Sequence, residues 1–180
     1  MHTEITPNPN SVKWVVECEL FKNGRPVALG PGTPSSYSPL GARLLAIDGV
    51  GSVLLAEKSI TINREPEADW RPLGQAVSEA IREWEKSSEP ALGSDYRPPA
   101  PEEESEILGR IRRILDEEIA PYVEQDGGEI QLEGFEEGVV KVRLRGACES
   151  CPNSAITLKV GIESRLREEI PEVQRVESIS

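Results

Sequence analysis

A run of small, polar and proline residues from Ser87 to Glu104, with Pro98-Pro99-Ala100-Pro101 inside it, interrupts the 180-residue chain. Proline fixes φ and removes a backbone donor, and the surrounding serine and glycine favour turns, so one continuous core cannot be threaded through this stretch. The expected organisation is a first domain over residues 1–86, a Pro/Ser/Gly linker over 87–101 and a second domain over 102–180. At 37% hydrophobic the chain can build two small cores and has no apolar surplus. No stretch approaches the ~20 consecutive apolar residues of a membrane span.

The first half reads as a small α+β domain. Turn-rich Pro7-Asn8-Pro9-Asn10-Ser11 leads into a strand over Val12–Glu17, and Val27-Ala28-Leu29 forms a second strand. Ser38 is placed to cap a helix with Pro39 at its first position. Gly51–Ala56 and Ser59–Asn63 read as a hairpin. Asp69 caps a last helix in which Leu73, Val77, Ile81 and Trp84 recur at helical spacing. His2 sits in an N-terminus with no pattern of its own, and Cys18 is expected on the buried face of the first strand, beside Trp14 and Val16.

The second half is more sharply patterned, in the order α-β-β-α-β. Ile107, Ile111, Ile114, Leu115 and Ile119 share one face of a helix over Glu102–Tyr122, and Gly127-Gly128 then breaks the chain. Ile130 and Leu132 alternate with polar residues, as do Val140, Val142 and Leu144, so the two runs form a hairpin across a Glu136-Glu137-Gly138 turn. Aligning the apolar faces pairs Ile130 with Leu144 and Leu132 with Val142. It also sets Glu133 beside Lys141 and Glu129 beside Arg145. A helix from about Pro152 to Ile170, stopped by Pro171, presents Ala155, Leu158, Ile162 and Leu166. Val173–Ile179 returns as a third strand, giving a three-stranded sheet with both helices on one face.

The inventory of reactive groups is short. The single histidine is His2, so Ser-His-Asp triads, Cys-His proteases and His-rich metal sites are excluded as readings. A formal charge of −12 argues against duplex nucleic acid as a partner. Of the three cysteines, Cys148 and Cys151 stand three positions apart in Gly146-Ala147-Cys148-Glu149-Ser150-Cys151-Pro152, between a strand and a helix. Pro152 suits the first helical position, which makes Cys151 the expected cap, where helix N–H groups and dipole favour a thiolate. Four readings compete: two ordinary thiols in a turn, a thioredoxin-like dithiol, a zinc site and an iron-sulfur cluster. Too few strands follow the motif for thioredoxin. Zinc and iron-sulfur sites both call for four ligands, so two thiols per chain imply a second copy.

Val123-Glu124-Gln125-Asp126-Gly127-Gly128, the segment Gly146–Ser154, Thr157-Leu158-Lys159, Gly161-Ile162-Glu163 and Ile170-Pro171-Glu172-Val173 together resemble the NifU-like C-terminal domain of Nfu-type iron-sulfur proteins. Thr6-Pro7-Asn8-Pro9-Asn10-Ser11, Ser38-Pro39-Leu40, Ile47-Asp48-Gly49-Val50, Ser59-Ile60-Thr61-Ile62 and Trp70 resemble the Nfu N-terminal domain. The resemblance implies a non-enzymatic scaffold or carrier that takes up a 4Fe-4S cluster, with 2Fe-2S as the other candidate, and hands it to apo iron-sulfur proteins. It further implies Cys148 and Cys151 of two protomers as the ligands, a homodimer on cluster binding, and upstream iron-sulfur assembly proteins as partners. Asp126, Gly127 and Gly128 are assigned to loop geometry. The thioredoxin-like dithiol and a zinc-bridged structural dimer remain the alternatives. No nucleic acid or membrane is expected as a partner. Low cysteine content and an N-terminus without a signal-like pattern lead to an expected cytoplasmic location in a prokaryote, or the mature form of an imported protein.

Overall fold

Val12-Lys13-Trp14 and Ile60-Thr61-Ile62 alternate in polarity, so each strand has one face that must be covered. The computed structural model describes residues 1–22, 25–97, 106–148 and 152–179, the side chains of 152–158 excepted. It divides into two units, Met1–Pro99 and Ala100–Ser180.

In the first unit, β1 (His2–Ile5), β2 (Ser11–Val15), β3 (Val27–Leu29), β4 (Val50–Leu55) and β5 (Ser59–Arg64) form an antiparallel sheet in the order β1-β2-β5-β4-β3. Trp14 lies opposite Ile60, Ile60 opposite Leu55, and Leu55 opposite Val27. This row packs with Leu40 and Leu44 of α1 (Pro39–Leu45) and with Leu73, Val77, Ile81 and Trp84 of α2 (Trp70–Ser87). The Thr6–Ser11 turn is held by its own side chains. The Thr6 hydroxyl donates toward the carbonyls of Asn8 and Ser11, Asn8 Oδ1 accepts from Asn10 N–H at 2.9 Å, and Ser11 Oγ donates to Asn63 Oδ1. Trp70 Nε1 donates to the Pro9 carbonyl at 2.9 Å, tying the turn to the start of α2.

Three sequence expectations change here. The N-terminal residues around His2 form the edge strand β1, paired through backbone with β2. Its side chains are all exposed, so no apolar alternation could announce it. Cys18 is exposed rather than buried. Strand β2 stops at Val15, the chain turns while Val16 and Leu20 amides donate to the Lys58 and Glu57 carbonyls, and Leu20 takes the core place. Ser88, at φ 56°, ends α2. The part of the expected linker that the structure describes, Ser87–Arg97, folds back on α1. Gly93 and Asp95 amides donate to the Tyr37 and Ser36 carbonyls at 2.8 and 2.9 Å, Ala91 is buried, and Tyr96 meets Tyr37 edge-on. Pro98–Pro101 lies outside the described residues.

The second unit runs α3 (Glu106–Ile114), a π-turn (Leu115–Ile119), α4 (Ala120–Gln125), β6 (Gly128–Glu136), β7 (Val139–Gly146), α5 (Pro152–Glu169) and β8 (Arg175–Ser178). β6 and β7 are antiparallel and β8 lies parallel to β7, in the order β6-β7-β8. Ile111 and Leu115 on one side and Ile162 and Leu166 on the other join Ile130, Val140, Val142, Leu144 and Val176 in one core. Both helices therefore cover one face of the three-stranded sheet, as the pattern predicts. The single expected helix over Glu102–Tyr122 is instead broken by the π-turn, in which Ala120 N–H donates to the Leu115 carbonyl. Pro121 has no N–H and its ring crowds the carbonyl four residues back, and the wider turn relieves this. The first residues of that expected helix, up to Ser105, lie outside the described residues.

The hairpin register holds for Ile130, Leu132 and Glu129 but slips after Leu132, where Gly134 rather than Glu133 faces Lys141. This bulge returns Phe135 to the inner face opposite Val140. Glu133 consequently pairs with Arg143 at 2.9 Å, and Lys141 with Glu136 at 2.5 Å. The turn holds two residues, Glu137 at φ 49° and Gly138 at φ 81°, the positive pair a tight hairpin demands.

Ser38 carries two bonds, accepting from Gly41 N–H at 3.0 Å as the α1 cap and donating to the Ala91 carbonyl at 2.7 Å. Ser38→Ala should cost roughly 2 kcal/mol, since a lost cap is worth about 1 kcal/mol and an orphaned buried carbonyl about as much again. Denaturant unfolding measures the loss, and faster hydrogen exchange at Gly93 and Asp95 should accompany it.

Candidate metal centre

Two glycine turns lie side by side at one end of the second sheet. Gly127, at φ 76°, follows α4, and Gly146, at φ 64°, ends β7; both adopt the left-handed conformation that glycine accepts without strain. Gly128 faces Gly146 in the ladder, and Ala147 N–H donates to the Gly127 carbonyl at 3.1 Å. The chain then delivers Cys148 into the core, 6% exposed. A Cβ on Gly128 would stand 2.5 Å from Cys148 Sγ and 3.2 Å from the Arg145 carbonyl, so the missing side chain of Gly128 is the space the thiol occupies.

Cys148 also lines a cleft of about 800 Å³. The π-turn and α4 supply Ile119, Tyr122 and Val123 to one wall, and α5 supplies Gly161, Ile162 and Arg165 to the other. Arg165 spans the two walls. Its Nε and Nη2 donate to the Glu118 carboxylate at 2.5 and 3.0 Å, while Nη1 donates to Glu169 at 3.0 Å. The bidentate bond holds the Glu118 carboxyl below the usual carboxylate range and raises the Arg165 guanidinium further above its own.

Of the residues singled out from the sequence, Cys148 lies on this cleft. Cys151, with Glu149 and Ser150, lies outside the described residues; α5 does begin at Pro152. Cys18 belongs to the other unit. Arg143 pairs with Glu133 on the outer face of the hairpin and Arg145 sits opposite Glu129. Among the described residues, no three His, Cys, Asp or Glu side chains converge as a metal site. The chemistry on offer is soft and thiol-based, with one buried sulfur facing a partly apolar cleft. Sequence reasoning missed the Glu118–Arg165 clasp, because partners 47 positions apart leave no local signal. It also reads Gly128 as a chain break and a matter of loop geometry, although a Gly-Gly pair fits a close approach equally well.

Residues 1–88 match the family described as scaffold protein Nfu/NifU N terminal, and residues 111–177 match the NifU-like domain. The chain is similar to proteins named NFU1 iron-sulfur cluster scaffold homolog, mitochondrial, from Drosophila persimilis and Drosophila sechellia. Each is 36% identical over 183 residues, covering 99% of this chain and 64% of the relative. The chain thus spans a little under two thirds of the length of these relatives. Among solved structures it is similar to a NifU-like protein from Saccharomyces cerevisiae, at 17% identity and a TM-score of 0.47, covering 52% of this chain and 84% of that one.

Gly128→Ala should overpack the thiol, lowering stability by about 1–3 kcal/mol and displacing Cys148 toward the cleft. Peptide-resolved alkylation should then label Cys148 several-fold faster; an unchanged rate together with unchanged stability would show that Gly128 does not shape the thiol's place. The Glu118–Arg165 clasp has its own pH signature. With the folded carboxyl lowered, its contribution is complete above the ordinary glutamate value and is lost as pH falls through the lowered one. A carbon-detected titration of Glu118 should place its midpoint below the ordinary glutamate range.

Proposed function

The chain belongs to the Nfu-type iron-sulfur scaffold proteins, with an Nfu/NifU N-terminal domain followed by a NifU-like domain, and from that premise we propose that it binds a 4Fe-4S cluster between two copies of itself and passes it to apo-proteins. Cys148 and Cys151 of each copy are the proposed ligands. The observation that carries the reading is the Cys148 thiol, set between two glycine turns on a cleft of the NifU-like domain, with room made for its sulfur by Gly128.

Two thiolates per chain supply half of the four ligands such a cluster prefers. A cluster held that way between two chains is the cargo, and it leaves by ligand exchange. At each iron, a bond to a client thiolate forms as the bond to Cys148 or Cys151 breaks. The proton given up by the client thiol passes to the released cysteine, and no electron is transferred. Loading runs the other way: thiols must lose protons to bind, so uptake is favoured as pH rises through the thiol range. The protein in this reading is a carrier rather than a catalyst. Its partners are upstream iron-sulfur assembly proteins and apo iron-sulfur clients, and its place is the cytoplasm of a prokaryote or the equivalent reducing compartment of an organelle.

Anaerobic reconstitution with iron and sulfide, read by absorbance and an iron count, tests the proposal. The expected result is about four irons per dimer, lost in Cys148→Ser and in Cys151→Ser and kept in Cys18→Ser. Equal iron binding by a chain with both Cys148 and Cys151 replaced by serine would overturn the ligand assignment. A thiol-disulfide couple that binds no iron would favour the dithiol alternative.

A further inference from the structure

Cys148 is 6% exposed, and a sulfur so enclosed cannot bond a metal shared with a second chain until it is uncovered. Among the described residues, the space that Cys148 lines is the cleft between the π-turn with α4 on one side and α5 on the other. The π-turn gives three successive residues, Glu117, Glu118 and Ile119, to this cleft, where a regular helix presents every third or fourth residue to one side. The α5 wall is bare at Gly161, where a Cβ would meet no described atom within 4 Å. Packing therefore does not close the mouth at that point. The gap is bridged by Arg165, whose Nε and Nη2 hold the Glu118 carboxylate at 2.5 and 3.0 Å, while Glu169 steadies Nη1 at 3.0 Å.

A bidentate bond of this kind fixes direction as well as distance. Glu118 rides on the π-turn and Arg165 on the helix whose first residue follows Cys151, so the bond ties one wall of the cleft to the helix that leaves the cysteine motif. The Arg165 side chain is 33% exposed and that of Glu118 41%. Water and salt therefore reach the bond, and it can open locally without unfolding the core. We propose that the Glu118–Arg165 pair is the latch of this cleft: closed, it keeps Cys148 out of reach, and its opening sets how fast the thiol is reached. Arg165 is thereby a positioning residue for ligand uptake, acting through the cleft wall and touching no metal. For iron, this rests on the reading of Cys148 as a cluster ligand; the access of other reagents to the sulfur does not depend on it.

Labelling of the metal-free full chain with iodoacetamide, a neutral probe, tests the latch when read at Cys148 by peptide fragmentation, with the exposed Cys18 as internal reference. In Arg165→Gln, Cys148 should label about fivefold faster. Loss of a cation from the cleft would by itself disfavour the thiolate and slow the reaction, so acceleration is the signature of opening. Arg165→Lys, which keeps the charge and loses the planar fork, should fall between the two. Added salt should speed labelling of the wild type and leave Arg165→Gln unmoved. Arg110→Gln separates the latch from general loosening. Arg110 Nη2 donates to the Glu169 carbonyl at 2.5 Å, so its loss also unties α3 from α5, but Arg110 does not line the cleft, and Cys148 should then label at the wild-type rate. Anaerobic uptake of iron and sulfide should be faster in Arg165→Gln, in step with the labelling. Unchanged labelling in Arg165→Gln, or equal acceleration in Arg110→Gln, would overturn the latch whatever the iron result. Faster labelling in Arg165→Gln, beside iron uptake that survives Cys148→Ser, would sustain the latch and overturn the ligand reading instead.

Discussion

The pairing of β6 with β7 governs the C-terminal unit. Gly128 faces Gly146 at one end of that ladder and Glu136 faces Val139 at the other, so the strand that enters and the strand that leaves are locked at both extremities. A slip of one residue would exchange the inner row of Ile130, Leu132, Val142 and Leu144 for the charged outer row, which the core cannot accept. The same register fixes where β7 ends and hence where Cys148 emerges. The bulge after Leu132 absorbs the one mismatch, letting Phe135 reach the core without shifting the glycine end. The placing of the thiol thus follows from an apolar alternation up to about twenty residues away in sequence.

Much of this was legible in advance, and the successes share a cause. The α2 stripe of Leu73, Val77, Ile81 and Trp84, the Ser38 cap and the Ile130–Leu144 pairing are all local patterns that burial reads directly. The failures also share one. Strand β1 is held by its backbone ladder and one Glu4–Lys13 ion pair and buries no side chain, so its residues carry no apolar signal. Cys18 was assigned by continuing an alternation that stops when β2 runs out of partner. Neither the π-turn nor the bulge adds a new residue type to look for; Pro121 and Gly134 hint at them only once the neighbouring contacts are known. At the site, cysteine spacing pointed to the sulfur chemistry, whereas Gly128's role and the Arg165 clasp arise from residues brought together by folding.

The N-terminal unit gives a different lesson about motifs. Thr6-Pro7-Asn8-Pro9-Asn10-Ser11 is one of the segments that resembles the Nfu N-terminal domain, and its polar atoms are turned inward. Asn8 and Ser11 are almost wholly buried, and hydrogen bonds run from this turn to Asn63 and from Trp70 back to Pro9. Buried polar groups are tolerated when their bonds are satisfied. This recognisable stretch therefore encodes the way β1 turns into β2 and docks on α2.

The contrast between the two described cysteines bears on how preparations of this protein behave in air. Cys148 is shut into the core and Cys18 is open to solvent. Of these two sulfurs oxidants reach the exposed one first, giving a sulfenate at Cys18 or a covalent link between two chains through it. Such a link would double the apparent mass without iron, and would disappear on adding a reductant. A chain carrying serine at position 18 is consequently the better starting material for measurements of association, because any dimer it forms owes nothing to adventitious cross-linking there.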